Sequence, residues 1–370
     1  MRELVRDLSL ALREQVLPQL GSHAGRAHQK DADAAGGDVT FAIDAAAESF
    51  LEEFLAKRAP DVAFYSEDKG LVESAEPARA VLVVDPIDGT RPALAGLESC
   101  CVSVAAAPLC GEPTMGDVSV GCVVEIPSGQ VFLAARGEGL VEGPGPNLST
   151  NERIDRMFWT YGFRGRPARA LTEVLAELLD ASSVGGGTFD LGSAAFDMTR
   201  VVTGQMDAYV EPGPRMVDDV PGVREEFERV GGGAVLNNSP YDLAGAALVC
   251  REAGAIVTDA YGHGLEDRPL LGSGADYQMS VVCTANRMLH EYILREVERR
   301  RWPTGRADRF PAGMSADSRD VSLAVPARAG YLVLARLALA AVCRPTALEP
   351  SEAVERADFS SRRTVSVKDL

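Results

Sequence analysis

Histidine is scarce and cysteine is unpatterned in this chain of 370 residues, which has four of the first and seven of the second. The cysteines (100, 101, 110, 122, 250, 283 and 343) form an odd set with no C-x-x-C spacing. A zinc site or a disulfide framework is therefore not expected, and a reducing cytoplasm is the expected setting. A basic excess is also missing, since the formal net charge is −17. That balance argues against a nucleic-acid partner bound through a basic face. No apolar run reaches the length of a membrane span, and the nearest, around 329–343, is broken by Arg336. Charges at Arg2, Glu3, Arg6 and Asp7 do not suit a signal peptide. What remains is an ordinary globular composition, 25% charged and 46% hydrophobic. An acidic protein that handles an anionic substrate needs metal ions to reverse its local field.

The stretch Val81-Leu82-Val83-Val84-Asp85-Pro86-Ile87-Asp88-Gly89-Thr90 organises the rest. Its four leading apolar residues read as a buried strand, which Pro86 is expected to end because it lacks a backbone donor. Asp85 and Asp88 at that strand end repel each other and stay ionised together only around a cation. Hard oxygen ligands favour Mg²⁺ over Zn²⁺. Taken alone, Asp88-Gly89 also suits an ordinary turn.

Around this stretch, Leu4, Leu8, Leu12 and Val16 predict an amphipathic first helix. Asp44 stands where a helix N-cap would, before an apolar pattern that includes Phe50, Leu51, Phe54 and Leu55. A strand near 62–65 leads into Ser66-Glu67-Asp68. Strands at 99–107, 117–126 and 130–135 predict an antiparallel, hairpin-rich section. Helices are expected at 168–180, 190–203 and 286–301, and from Asp242 to Glu252, with a strand at 207–211. Pro and Gly crowd 143–147, a boundary between two halves, and 212–240 reads as irregular.

Several segments, in this order, resemble the inositol monophosphatase family of Mg²⁺-dependent, lithium-sensitive phosphatases. They are Asp38-Val39-Thr40 with Asp44, Ser66-Glu67-Asp68, and Asp85-Pro86-Ile87-Asp88-Gly89-Thr90. Then come Gly192-Ser193-Ala194-Ala195, Asp207-Ala208-Tyr209-Val210-Glu211, and Tyr241-Asp242-Leu243-Ala244-Gly245-Ala246 running to Glu252-Ala253-Gly254. The resemblance implies a layered α/β fold that alternates helices with mixed sheets. It implies a phosphatase domain over 1–300, with an insertion at 212–240, and a C-terminal extension at 301–370 of unknown role.

By the same resemblance, Glu67, Asp85 and the Ile87 carbonyl would hold one Mg²⁺, and Asp85, Asp88 and Asp242 a second, with two or three ions per site. Two cations about 4 Å apart clamp the attacking and leaving oxygens of an in-line displacement. Asp44, Thr90 and Glu67 would be catalytic, activating a water without a covalent phosphoenzyme. Gly89, Thr90, Arg91, Ser193 and Glu211 would meet a small phosphorylated substrate. Inositol monophosphate or a related polyol or sugar phosphate is the first expectation. A bisphosphate nucleotidase, a nucleoside-phosphate phosphatase, a fructose-1,6-bisphosphatase and a non-catalytic scaffold are the alternatives. A homodimer is the family expectation.

The chain departs from the pattern in four places. Arg91-Pro92-Ala93 follows Gly89-Thr90, and Arg91 either meets a second anionic group or faces solvent. The link from Glu211 to Asp242 is long, forming either a flap or a surface excursion. It carries Asp218 and Asp219 as rival metal ligands, of which Asp242 is preferred for its downstream helix and glycine. Asp190 stands where relatives carry a basic residue. The tail beyond 301, with its apolar run Tyr331–Val342, matches nothing in the family.

Overall fold

The computed structural model describes residues 1–22, 28–29, 40–73, 77–109 and 111–299, and three strands at 321–324, 357–361 and 364–367. Asp38, Val39, Cys110, Cys343 and the run 331–342 lie outside the described residues. Two compact units result, Met1–Trp302 and Pro303–Leu370.

In the first unit, α1 (Arg2–Val16) precedes a short antiparallel pair, β1 (His28–Gln29) and β2 (Thr40–Phe41), and then α2 (Ala42–Arg58). Next come β3 (Val62–Ser66), β4 (Gly70–Val72), β5 (Ala80–Asp88), α3 (Thr90–Ala95), β6 (Cys101–Pro108), β7 (Val120–Glu125), β8 (Val131–Ala135) and β9 (Gly139–Glu142). These strands form one seven-stranded sheet in the order β4-β3-β5-β6-β7-β8-β9. Only β3 and β5 pair in parallel, so the sheet is mixed and the expected hairpin section is present.

The chain continues with β10 (Phe158–Tyr161), α4 (Ala168–Ser182), β11 (Gly187–Phe189), α5 (Ala194–Val202), β12 (Ala208–Glu211), α6 (Gly213–Asp219) and α7 (Val223–Val230). It closes with α8 (Pro240–Glu252), β13 (Ile256–Thr258), β14 (Val281–Thr284) and α9 (Arg287–Arg299). A second mixed sheet runs β11-β10-β12-β14-β13. In the second unit, β15 (Val321–Ala324), β16 (Ala357–Ser361) and β17 (Thr364–Val367) make an antiparallel sheet in the order β15-β17-β16.

Alternation along β5 shows how the layers stack. Leu82 and Val84 pack with Val5, Leu8 and Leu12 of α1 and Ile43 and Leu51 of α2. Val81 and Val83 face the other way, into a core shared with α5, α8 and Tyr209 of β12. On the far side of the second sheet, Ala208 and Val210 join Leu171 and Leu175 of α4 and Leu289 and Ile293 of α9. The result is helices, sheet, helices, sheet, helices, which bears out the expected layered α/β class.

The middle helix layer seats α8 unusually close to the first sheet. A Cβ on Gly121 of β7 would lie 2.5 Å from the carbonyl oxygen of Gly245 on α8, so only glycine permits this approach. That contact carries the first turn of α8 to the end of β5.

Three local expectations need correction. β5 does not stop at Pro86 but runs to Asp88, because Pro86 falls in a bulge where no ladder donor is required. Asp44 and Asp242 are not N-caps. They are the third residues of α2 and α8, behind Phe41 and Ser239. The segment 212–240 is not irregular throughout, since it contains α6 and α7.

Candidate active site

The bulge in β5 builds the site. Residues three apart on an unbroken strand face opposite ways. Asp85 pairs with Ser103, however, and Asp88 with Cys101, so three steps along β5 match two along β6. The extra residue returns Asp88 to the face of Asp85, which is the face that α5 and α8 cover.

Backbone groups hold one oxygen of each aspartate. Asp85 Oδ1 accepts the Ile87 N–H at 2.9 Å. Asp88 Oδ2 accepts the Ser193 hydroxyl at 2.8 Å and the Ala195 N–H at 2.6 Å, at the opening of α5, where Ser193 is the N-cap. Asp242 Oδ2 accepts the Ser239 N–H at 2.6 Å, half of a capping box at the start of α8. Ligand oxygens of Asp85, Asp88 and Asp242 all lie within 4.8 Å of one another.

These carboxyls are far from their ordinary state. Burial raises Glu67 and Asp85 well above the usual carboxylate range, with Asp242 adding to the first and Asp88 to the second. Burial also lifts Asp88 to about 6 and Asp242 to about 7. A hard divalent cation among these all-oxygen donors would let them ionise together, so the residues fit the Mg²⁺ that the sequence implies. Cys101 Sγ lies 3.9 Å from Asp88 Oδ2, but burial raises its thiol well above the usual range, so it offers no thiolate.

Beside this cluster, Asp44 closes the capping box of α2 by accepting the Phe41 N–H at 3.0 Å on Oδ2. Its Oδ1 lies 3.1 Å from the Thr90 hydroxyl, which is also 3.2 Å from the Ile87 carbonyl. Burial raises Asp44 to about 6. Gly89 precedes Thr90 with φ +89°, and a Cβ there would lie 2.7 Å from the Ser99 carbonyl oxygen. No other residue fits that turn.

One cleft of about 850 Å³, its mouth included, brings together Asp44, Glu67, Asp85, Ile87, Asp88, Gly89, Thr90, Arg91, Ser193 and Asp242. Glu211 is not among its lining residues. It is fully buried behind the wall, against the Arg166 guanidinium, with the Gly213 N–H on its Oε1 at 2.7 Å. Its expected contact with a substrate hydroxyl is therefore corrected, because the carboxylate is already taken by protein groups. Asp218 and Asp219 are exposed on α6, and the structure puts Asp242 in the cluster instead. Arg91 is open to solvent at the rim, with its guanidinium 5.6 Å from the centre of the Phe41 ring.

Sequence reasoning missed Arg164, Arg166 and Asn238, which also line the cleft. The signal was Gly162-Phe163-Arg164-Gly165-Arg166 directly after a strand. Arg166 reaches Asn238 Oδ1 at 3.3 Å, and Asn238 Nδ2 donates to the Tyr209 hydroxyl at 2.8 Å.

Comparison with known proteins agrees with this geometry. The fructose-1,6-bisphosphatase/inositol-1-monophosphatase of Methanothermobacter thermautotrophicus is 28% identical over 295 residues, covering 76% of this chain and 91% of that protein. Nus factor SuhB of Xylella fastidiosa is 29% identical over 231 residues, 61% of this chain and 70% of its own. The expectation that nucleic acid plays no part draws no support from a relative so named. Among solved structures, an IMPase of Thermotoga maritima shares the fold with a TM-score of 0.58 at 19% identity, covering 79% of this chain and 94% of that one. No helix of the described residues is long and apolar enough to cross a membrane. With residues 2–301 matching the family's sequence profile and the acidic segments gathered in one cleft, the chain belongs to the inositol monophosphatase family.

Proposed function

We propose that this protein hydrolyses a small phosphomonoester of a polyol or sugar, with Mg²⁺ and without a covalent phosphoenzyme. The observation that carries the reading is the Asp85, Asp88 and Asp242 cluster within 4.8 Å, with the Asp44–Thr90 pair at 3.1 Å in the same cleft. Glu67, Asp85, the Ile87 carbonyl, Asp88 and Asp242 are the groups that would hold Mg²⁺. Bound there, the ion supplies Lewis-acid neutralisation of phosphoryl charge.

The protein's own groups handle the proton. Thr90 Oγ1 donates to Asp44 Oδ1, so its lone pairs accept a proton from an incoming water. Asp44, at about 6, is mostly ionised at neutral pH and takes the relayed proton at Oδ1. Water oxygen bonds to phosphorus as the ester P–O bond breaks, and the departing alkoxide takes a proton from solvent, to which Asp44 later returns its own. Backbone N–H groups of Gly89 and Thr90, at the open start of α3, suit the phosphate oxygens.

Phosphate release from inositol 1-phosphate, fructose 1,6-bisphosphate, adenosine 3′,5′-bisphosphate, AMP and histidinol phosphate tests this, with Mg²⁺ or EDTA. Release that needs Mg²⁺ and disappears in Asp88→Asn is the expected result. Tight Mg²⁺ binding with no release from any member would point to a non-catalytic relative.

A further inference from the structure

Glu48 lies where stability alone would place an apolar residue. It belongs to the core-facing side of α2, with Ile43, Ala47, Leu51 and Leu55, and is 3% exposed. An acid so enclosed is costly unless hydrogen bonds answer it, and here two do. The Ser66 hydroxyl donates to Glu48 Oε2 at 2.7 Å. The Asp68 N–H is the second donor, and both bonds oppose the burial that pushes the Glu48 carboxyl up to about 7.

Those two donors straddle Glu67, the one acid among the proposed Mg²⁺ ligands that comes from outside the three-aspartate cluster. Ser66 ends β3, beside Gly70 of β4 and Val84 of β5, and Glu67 begins the turn from β3 to β4. Glu48 thus holds the backbone on both sides of Glu67 where the chain leaves the sheet. One turn earlier on α2, Asp44 meets the Thr90 hydroxyl, and one turn later Glu52 pairs with Lys69 of the same β3–β4 turn. The row Asp44, Glu48 and Glu52 therefore joins α2 both to the proton-handling pair and to the strand end that carries Glu67. The charge of Glu48 counts for less than its bonds, since in the field at Glu67 it stands behind Asp242, Asp44 and Asp68.

We propose that Glu48 is a positioning residue, which sets Glu67 for Mg²⁺ by fixing the chain on either side of it. Groups behind a metal ligand orient that ligand, and losing one weakens metal binding or activity by about 10- to 100-fold. The inference rests on the Mg²⁺-dependent reading above.

Calorimetric titration of the full chain with Mg²⁺ at pH 8 reads this directly. Glu48→Met, which keeps the volume and removes both acceptors, should weaken Mg²⁺ binding about 10-fold. Ser66→Ala spares the Asp68 N–H and should weaken it less. Glu48→Gln keeps an acceptor oxygen without the charge and should restore most of the affinity. A Gln variant as weak as the Met variant would overturn positioning in favour of charge. In a Glu67→Gln background, Glu48→Met should cost nothing further, because it acts through Glu67. An undiminished loss in that background would overturn the proposal. Should Glu48→Met fail to fold, judged by its thermal midpoint in EDTA, Ser66→Ala carries the same cycle with Glu67→Gln. Phosphate release by Glu48→Met should need about 10-fold more Mg²⁺, with kcat recovering at high Mg²⁺. Unchanged Mg²⁺ binding in Glu48→Met, with hydrolysis by the wild type, would overturn the positioning role alone. The expected binding losses with no hydrolysis of any ester would support that role and overturn the hydrolytic reading. A wild type that binds no Mg²⁺ would overturn both.

Discussion

The two walls of the cleft are built on opposite electrostatic terms. On the first-sheet side, Glu67, Asp85, Asp88 and Asp242 are enclosed together; burial raises them all, and neighbouring carboxylates add to the rise of Glu67, Asp85 and Asp242. On the second-sheet side, Arg166 and Glu211 are just as buried, but they face each other. The first wall stores conflict that a bound cation would relieve, which is how a binding site trades stability for function. In the second wall, the buried Glu211 carboxylate finds its counter-charge in Arg166, within the protein. Buried charge therefore has two meanings here, set by whether the partner is supplied by the chain.

Asp85→Asn should break the comparison most sharply, because it removes charge from the wall in conflict. Mg²⁺-dependent phosphate release is expected to fall at least about 10²-fold. The thermal midpoint in EDTA should rise, since the amide removes a buried charge and can still accept the Ile87 N–H. A lower midpoint in EDTA would mean that this wall is not in conflict.

Arg166→Met should do the reverse and cost stability first, because it strands Glu211 inside the protein. The expected loss is about 3–5 kcal/mol by urea unfolding. Adding Glu211→Gln should recover most of it, with the Gln oxygen kept for the Gly213 N–H. A double variant no more stable than Arg166→Met would show that the pair is not what holds this wall.

The same contrast decides how much was legible in the sequence. Asp85, Asp88 and Thr90 sit within six residues of one another, so their chemistry could be read locally. Their geometry could not, because the bulge depends on Ser103 and Cys101 of the partner strand. Asp44 and Asp242 stood out as acids before helices, yet their positions were misjudged. A helix start admits an acid at the cap or at the third residue, and only the partner N–H of Phe41 or Ser239 decides between them. The second wall was legible least of all. Glu211 and Arg166 meet because β10 and β12 run parallel, with Tyr161 beside Val210, which puts both strand ends at one edge. Nothing near Arg166 in sequence announces that pairing. In 212–240, glycine and proline masked two helices, although proline suits the first turn that Pro214 occupies in α6.

The smallest effect is also the cleanest separation of the walls, and it appears with pH. Asp44 and Asp88 at about 6 and Asp242 at about 7 all lie above the ordinary 3.8 of an unfolded aspartate. Their folded-state preference for the proton contributes stability that is fully present below the unfolded pKa. That stability is lost as pH rises through the folded values, over a window from about pH 4 to pH 7. In EDTA, these groups should therefore lower the thermal midpoint across that window. Mg²⁺ held by the ionised form would displace the protons, so its stabilisation should grow over the same range. Midpoints measured with Mg²⁺ and with EDTA should nearly coincide at pH 5 and separate by pH 8. In Asp85→Asn the gap should shrink, whereas in the Arg166→Met, Glu211→Gln double variant it should persist at a lower midpoint. A gap that stays constant from pH 5 to pH 8 would place the cation's stabilisation somewhere other than on these carboxylates.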